Sequence, residues 1–357
     1  MRAFAHTGPG RVEWIEVEKP GLKQPYGAIL RPLTVAPCSS DVHTIYGGKS
    51  PKIPNLVLGH ECVAEVVAVG DEVTDFTVGD RVIVPAITPN WRAVSVQEGN
   101  PNHAEDHFSG HRLGRTWNGV FAEFFALPDA DTTLCHLPER MNIKQGLMCA
   151  DVMTTGITAA ENANIKTGDT VCVMGIGPIG LMAIAGAAHL GAARIIAVGS
   201  RRRCRELATQ YGATDLLDYH DGDVVEKVLE MTEGIGPDSV ILAGGGDEVF
   251  TQAIDMVRYG IGTVSNVNYY GGNGSLAYPK FSGGRGMAGK TIHMELCKGG
   301  RARIERMARM VQYGRIDPEP LITHELRGWD RLEEAIQLMR DKHSGAIKVM
   351  VNVSESK

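Results

Sequence analysis

The 357-residue chain reads as an α/β protein, a β-rich domain joined to a doubly wound parallel sheet. Three observations carry this expectation. At roughly 150 residues per domain, the length suits two domains, each large enough for a core. The first half holds short runs of Val, Ile and Leu between Gly, Pro and Asp turns, the pattern of irregular β structure. From about Thr155 such runs alternate with helical segments, and βαβ alternation builds a parallel sheet.

In the first half, Ala28 to Val35, Cys62 to Val69 and Arg81 to Pro85 are strand candidates because β-branched residues crowd between turn residues. The second half offers Thr170 to Met174, Arg194 to Val198, Asp215 to Leu217, Ser239 to Ala243 and Gly262 to Asn266 as strands. Between them Leu181 to Leu190, Arg203 to Tyr211, Val224 to Thr232 and Glu248 to Val257 suit helices. Gly271 to Gly289 is glycine-rich enough for a long loop. Beyond Cys297 lie helical stretches at Arg301 to Tyr313 and Trp329 to Arg340, then a strand at Ala346 to Val353. These last elements are expected to return to the first domain, giving boundaries at 1–154, 155–296 and 297–357.

Hydrophobic residues make up 43% of the chain and charged residues 22%, with a net charge of −6. That balance is too apolar for disorder and gives no electrostatic reason to seek nucleic acid or an anionic membrane. Val171 to Ala188 carries no charge and is long enough for a membrane-span candidate, but Gly175, Gly177, Pro178 and Gly180 divide it into strand, turn and helix. Glu13, Glu16 and Glu18 interrupt the first thirty residues, so no signal peptide is read and a cytoplasmic location is the default. Seven cysteines, none in C-x-x-C spacing, argue against a disulfide framework. Six are expected to be small buried hydrophobes, and Cys38 is the exception.

Gly175, Gly177 and Gly180 stand in G-x-G-x-x-G spacing between a strand and a helix. In that context the glycines allow a tight turn and a close approach to a pyrophosphate, which the helix N-terminus attracts. The competing reading is a glycine turn that binds nothing. Where an NAD site would place a carboxylate, the second strand ends in Gly199-Ser200-Arg201-Arg202-Arg203. A hydroxyl and guanidinium groups suit a 2′-phosphate, so NADP is the expected cofactor, against the alternative of a solvated basic helix start.

Three further segments hold metal-ligand residue types: Pro37-Cys38-Ser39-Ser40-Asp41-Val42-His43, Leu58-Gly59-His60-Glu61, and Cys149-Ala150-Asp151-Val152-Met153-Thr154-Thr155-Gly156. Singly, Cys38 reads as a buried thiol, His60 as a core histidine and Asp151 as a helix cap. Together they resemble the medium-chain, zinc-dependent alcohol dehydrogenases. With Gly79-Asp80-Arg81-Val82, Gly199-Ser-Arg201 and Asn266-Val-Asn-Tyr269 the chain is similar, over essentially its whole length, to the bacterial NADP-dependent secondary alcohol dehydrogenases.

The resemblance implies a GroES-like catalytic domain, a Rossmann domain, and zinc ligands Cys38, His60 and Asp151, with Glu61 joining when the substrate position is empty. It implies cofactor contacts at Ile176, Gly177, Pro178 and Ile179, at Gly199, Ser200 and Arg201, and at Tyr219, Val267, Asn268, Tyr269 and Lys342. Zinc would polarise a small alcohol or ketone for hydride exchange with NADP, and Ser40 would pass a proton towards His43. Because neighbouring strand residues face opposite ways, His60 and Glu61 can share a metal only if the backbone there is irregular. The stretch 88–118 lacks the four cysteines of a structural zinc, so one zinc is expected, with Trp91, Phe108 and Trp117 packing that lobe. His111 stands where similar chains place a bulky aromatic beside the substrate; His103, His107 and His111 read as polar loop residues. A homotetramer is implied, with Met287 reaching a neighbour's pocket. The alternatives are a polyol or sugar dehydrogenase of the same superfamily and a non-catalytic NADP-binding redox sensor.

Overall fold

The computed structural model describes residues 1–48, 51, 53–103, 108–271, 274–341 and 344–354. The chain divides into two compact units, Met1–Thr154 with Lys298–Lys357, and Thr155–Cys297.

The second unit is built on six parallel strands: β1 (Thr170–Met174), β2 (Arg194–Val198), β3 (Asp215–Leu217), β4 (Ser239–Leu242), β5 (Thr263–Asn266) and β6 (Thr291–Met294). Their spatial order is β3-β2-β1-β4-β5-β6, the arrangement of a doubly wound dinucleotide-binding sheet. Four helices connect them, α1 (Pro178–Leu190), α2 (Arg202–Gln210), α3 (Val224–Met231) and α4 (Glu248–Met256). The uncharged run from Val171 to Ala188 is divided between β1, the glycine turn and most of α1. Among the described residues no helix is long and apolar enough to cross a membrane. Strand β6 was not expected: polar Thr291 and His293 interrupt it, and it lies mostly exposed at the sheet edge.

The first unit holds a larger sheet ordered Ile322–Arg327, Lys348–Asn352, Ala28–Ala36, Glu61–Val69, Arg81–Val84, Cys135–His136. The strand Lys348–Asn352 thus pairs with Ala28–Ala36 through Val351 opposite Val35. Pro32 lies inside Ala28–Ala36, and the ladder shifts register between Pro32 and Thr34, as a residue without an N–H requires. A smaller sheet pairs Arg11–Glu16 with Arg2–Gly8 and Leu56–Val57. Its hairpin was missed because exposed charges interleave its half-buried Val12, Trp14 and Ile15. Leu30, Val35, Leu58, Val66, Val84 and Phe121 belong to one core cluster beside the segments that carry Cys38 and His60.

Candidate metal centre and dinucleotide site

Cys38 ends the turn after strand Ala28–Ala36 and caps the helix Ser39–Tyr46. The cap is closed by Asp41, whose Oδ2 accepts from the Cys38 N–H at 2.8 Å. Its other oxygen accepts from the Gly59 N–H at 3.2 Å and lies 3.6 Å from His60 Nδ1. One buried carboxylate therefore fixes both segments. Gly59 has φ +89°, a conformation that favours glycine, and a Cβ there would strike the Phe121 ring. This kink just ahead of strand Glu61–Val69 is the irregularity that lets His60 and Glu61 turn to the same side.

Asp151 joins two helices, Ile143–Ala150 and Val152–Asn162, with φ −141° and ψ −59°. One ligand atom from each of Cys38, His60, Glu61 and Asp151 lies within 4.8 Å of the others. His60 Nε2 is 3.6 Å from Asp151 Oδ2 and 3.3 Å from Ser40 Oγ. All other cysteines are buried, whereas Cys38 is partly accessible. Burial pushes the Cys62 thiol up and raises Cys135 to about 12, so neither offers a thiolate.

Lys348, 1% exposed, places Nζ 2.5 Å from Glu61 Oε1, while Glu61 Oε2 has no hydrogen-bond partner among the described residues. Burial, opposed by Lys348 and reinforced by Asp151, pushes the Glu61 carboxyl up to about 7. Burial works against the Lys348 charge, but Glu61, Cys38 and Asp151 together hold the ammonium pKa above its ordinary value. Burial likewise opposes the His60 imidazolium, and Asp41 with Asp151 raises its pKa well above the usual range. Asp41, Glu61 and Asp151 share this cluster with two basic side chains, His60 and Lys348. The unpaired Glu61 oxygen and the S, N and O donors of Cys38, His60, Glu61 and Asp151 fit a divalent zinc ion.

Ser40 Oγ meets His60 Nε2 at 3.3 Å, and His43 lies exposed one helical turn further on. Among the described residues of 88–118, cations lie over aromatic rings. Arg112 stacks 3.4 Å over Trp117 and Arg115 4.5 Å over Phe108, while Trp91 donates to Thr133 Oγ1 at 2.9 Å. His111 lies in a loop, as expected, and is half-buried: its ring packs edge-on against His60, and burial, with His60, lowers its pKa to about 3. His107 lies outside the described residues.

At the carboxyl ends of the parallel strands the three motif glycines differ in kind. Gly175 has φ +86°, and a Cβ would meet the Gly244 backbone at 2.6 Å. At Gly180 a Cβ would stand 2.0 Å from the Gly175 carbonyl oxygen, so α1 packs directly on the turn. Around Gly177 nothing lies closer than Arg201 Nη2 at 3.8 Å. Its missing side chain leaves open space at the N-cap of α1, the cradle a pyrophosphate needs. Pro178 begins α1 and Ile176 is buried beneath Gly199, where a Cβ would meet Ile176 Cγ1 at 2.3 Å.

The arginine run does not act as one. Arg202 and Arg203 pair with Glu206, Arg205 donates to the Gly199 carbonyl, and Arg201 alone reaches towards Gly177. Ser200 Oγ donates to the half-exposed Tyr219 hydroxyl at 3.0 Å. Val267 N–H donates to the Leu242 carbonyl, Asn268 Nδ2 to the Gly245 carbonyl, and Tyr269 is half-exposed nearby in the chain. Ile179 follows in the first turn of α1, and Lys342 lies outside the described residues.

Residues 24–139 match the alcohol dehydrogenase GroES-like domain, and residues 178–312 match the zinc-binding dehydrogenase family. The NADP-dependent isopropanol dehydrogenases of Thermoanaerobacter brockii and Clostridium beijerinckii are 49% and 48% identical over 351 residues, spanning 98% of this chain and 99% of each relative. The chain belongs to the zinc-binding alcohol dehydrogenases. Among solved structures, an alcohol dehydrogenase from Thermus sp. ATN1 aligns at TM-score 0.86 and 29% identity, covering 99% of this chain and all of that one. The two units are therefore the GroES-like and Rossmann domains of that family. Two residues at the centre escaped the sequence reading. Asp41 is legible in retrospect as the fourth residue of a capping box, and Lys348 as the one cation in an apolar strand.

Proposed function

We propose that this chain is an NADP-dependent secondary alcohol dehydrogenase that interconverts small secondary alcohols and ketones. The observation that carries the reading is the convergence of Cys38, His60, Glu61 and Asp151 within 4.8 Å. The names of the similar isopropanol dehydrogenases support the substrate class and the cofactor.

Cys38, His60 and Asp151 would hold a single catalytic zinc, with Glu61 as the exchangeable fourth donor. Bound there, zinc supplies Lewis-acid polarisation of the substrate oxygen, while NADP carries the hydride. Asp41 holds the Nδ1 edge of His60 and so leaves Nε2 as the ligating atom. Lys348 balances the charge of Glu61 and tethers one of its oxygens, leaving the other to turn towards the donor set. Ser40 Oγ takes the hydroxyl proton of an alcohol and hands it towards exposed His43 and water; in reduction the path runs inward. Arg201, Ser200 and Tyr219 form the 2′-phosphate and adenine end, and Gly177 admits the pyrophosphate. Free thiols throughout suit a reducing cytoplasm.

The enzyme is a homotetramer in this reading. Edge strand β6 has one neighbour only, and Phe281 (92% exposed) and Met287 (84% exposed) stand bare in the segment before it. Metal analysis, light scattering and coupled assays test the whole. About one zinc per chain, a tetrameric mass and acetone reduction with NADPH are expected. A zinc-free preparation of full activity would overturn the metal assignment, and a fully active monomer would overturn the assembly.

A further inference from the structure

Arg205 has no part in the roles above. Val198 pairs with Leu217, so Gly199 and Asp218 are neighbours at the ends of β2 and β3. Arg205, on α2, bridges them with one nitrogen: its Nη1 donates to the Gly199 carbonyl at 3.3 Å and stands 3.6 Å from Asp218 Oδ2. Asp218 puts a carboxylate at the adenosine end of the dinucleotide site, because the next residue is Tyr219, whose hydroxyl meets Ser200 Oγ at 3.0 Å. Its Oδ1 accepts from the His220 N–H at 3.0 Å and lies 2.9 Å from His220 Nδ1, while the His220 ring packs 4.2 Å from that of Tyr219. Oδ1 is thus held by His220, and Oδ2 is left to Arg205. Arg202 and Arg203 are engaged by Glu206, and among the described residues Arg205 is the one guanidinium within ion-pair reach of Asp218. Ser200, Arg205 and Leu216 line one groove open to solvent.

Resting on the function proposed above, we infer that Arg205 is a specificity residue that favours NADP over NAD by acting through Asp218. A 2′-phosphate held by Ser200 and Arg201 meets a second negative charge at Asp218, and like charges at short range repel. The Arg205 guanidinium offsets that charge without touching the cofactor. The two side chains are 29% and 23% exposed, so solvent screens them less than a fully exposed pair. NAD carries a ribose hydroxyl in place of the phosphate, which a nearby carboxylate does not repel. A bare Asp218 therefore penalises NADP and spares NAD. Cofactor choice then depends on two strand ends: β2 lacks a carboxylate at Gly199, and β3 carries one that Arg205 masks.

The test measures kcat and KM for NADPH and NADH in acetone reduction by the wild type, Arg205→Gln, Asp218→Asn and the double variant. Arg205→Gln keeps a donor for the Gly199 carbonyl and removes the charge. It should raise KM for NADPH about 10-fold, with kcat and the NADH constants close to wild type. The rise should shrink in about 1 M salt, where the screening length is roughly 3 Å. Asp218→Asn should leave NADPH at its wild-type KM or below, and the double variant should recover most of what Arg205→Gln loses. Equal losses on both cofactors overturn the inference and make Arg205 a brace between strand ends. A double variant no better than Arg205→Gln also overturns it, and makes Arg205 a direct phosphate ligand. If Arg205→Gln does not fold, Arg205→Lys and Asp218→Asn decide: both should keep the NADPH preference, and its loss in either overturns the inference. A wild type that prefers NADH overturns the cofactor reading itself, and this inference with it; a wild type that prefers NADPH, with an unchanged ratio in Arg205→Gln, overturns this inference alone.

Discussion

The metal centre of the first unit and the dinucleotide end of the second are built in opposite ways. The dinucleotide turn is contiguous: β1, three glycines and α1 follow one another, and backbone groups provide the cradle. The metal centre draws Cys38, Asp41, His60, Glu61, Asp151 and Lys348 from segments as distant in sequence as the helix cap and the last strand. A backbone site tolerates many side chains around it, whereas a side-chain site depends on each member and on the residue behind it.

The largest expected effects break the dispersed site while sparing the contiguous one. Cys38→Ser, His60→Ala and Asp151→Ala should each abolish turnover and reduce bound zinc, with NADP affinity close to wild type by fluorescence titration. Parallel loss of NADP binding would show that the two sites are not separable as described. Asp41→Asn probes the residue behind the ligands. It should weaken zinc about 10- to 100-fold in chelator competition, as removal of an outer-shell partner commonly does.

At the contiguous site, Arg201→Ala should weaken NADP about 10- to 100-fold and leave NAD almost unaffected, because hydrogen bonds to charged groups contribute roughly 1.5–3 kcal/mol each. The structure adds a condition to any reversal of cofactor preference. An Asp at position 199 collides with Ile176, so Gly199→Asp with Arg201→Ala should favour NAD only when Ile176→Ala makes room. Ratios of kcat/KM for the two cofactors check both statements.

The smallest effect concerns the buried titratable groups that crowd the first unit. His6, 1% exposed, has its pKa held below the usual 6.5 by burial, against a contact with the Gly8 backbone. The unfolded chain therefore binds this proton first, and the contribution present above pH 6.5 is lost as the pH falls. His6→Leu should raise the melting temperature more at pH 5.5 than at pH 8, and an equal change at both would exclude titration of His6 as the cause.

Local pattern sufficed wherever chemistry and backbone lie close in sequence. Strands β1, β2 and β3 and the glycine turn stand where hydrophobic runs and turn residues put them, since strand, turn and helix N-terminus are properties of neighbouring residues. Strand β6 and the hairpin of Arg2–Gly8 with Arg11–Glu16 were not legible, because half-exposed strands carry a polar pattern that only their sheet partners explain. The ligand residue types could be picked out only in combination, through a resemblance. Their convergence waited on the kink at Gly59, the bridging carboxylate of Asp41 and the return of Lys348 beneath Glu61. A buried charge or an orphaned oxygen is defined by what surrounds it, so the partners of Glu61 and the place of His111 were decided by tertiary packing alone, while the glycine spacing and the missing carboxylate at Gly199 were written in the chain itself.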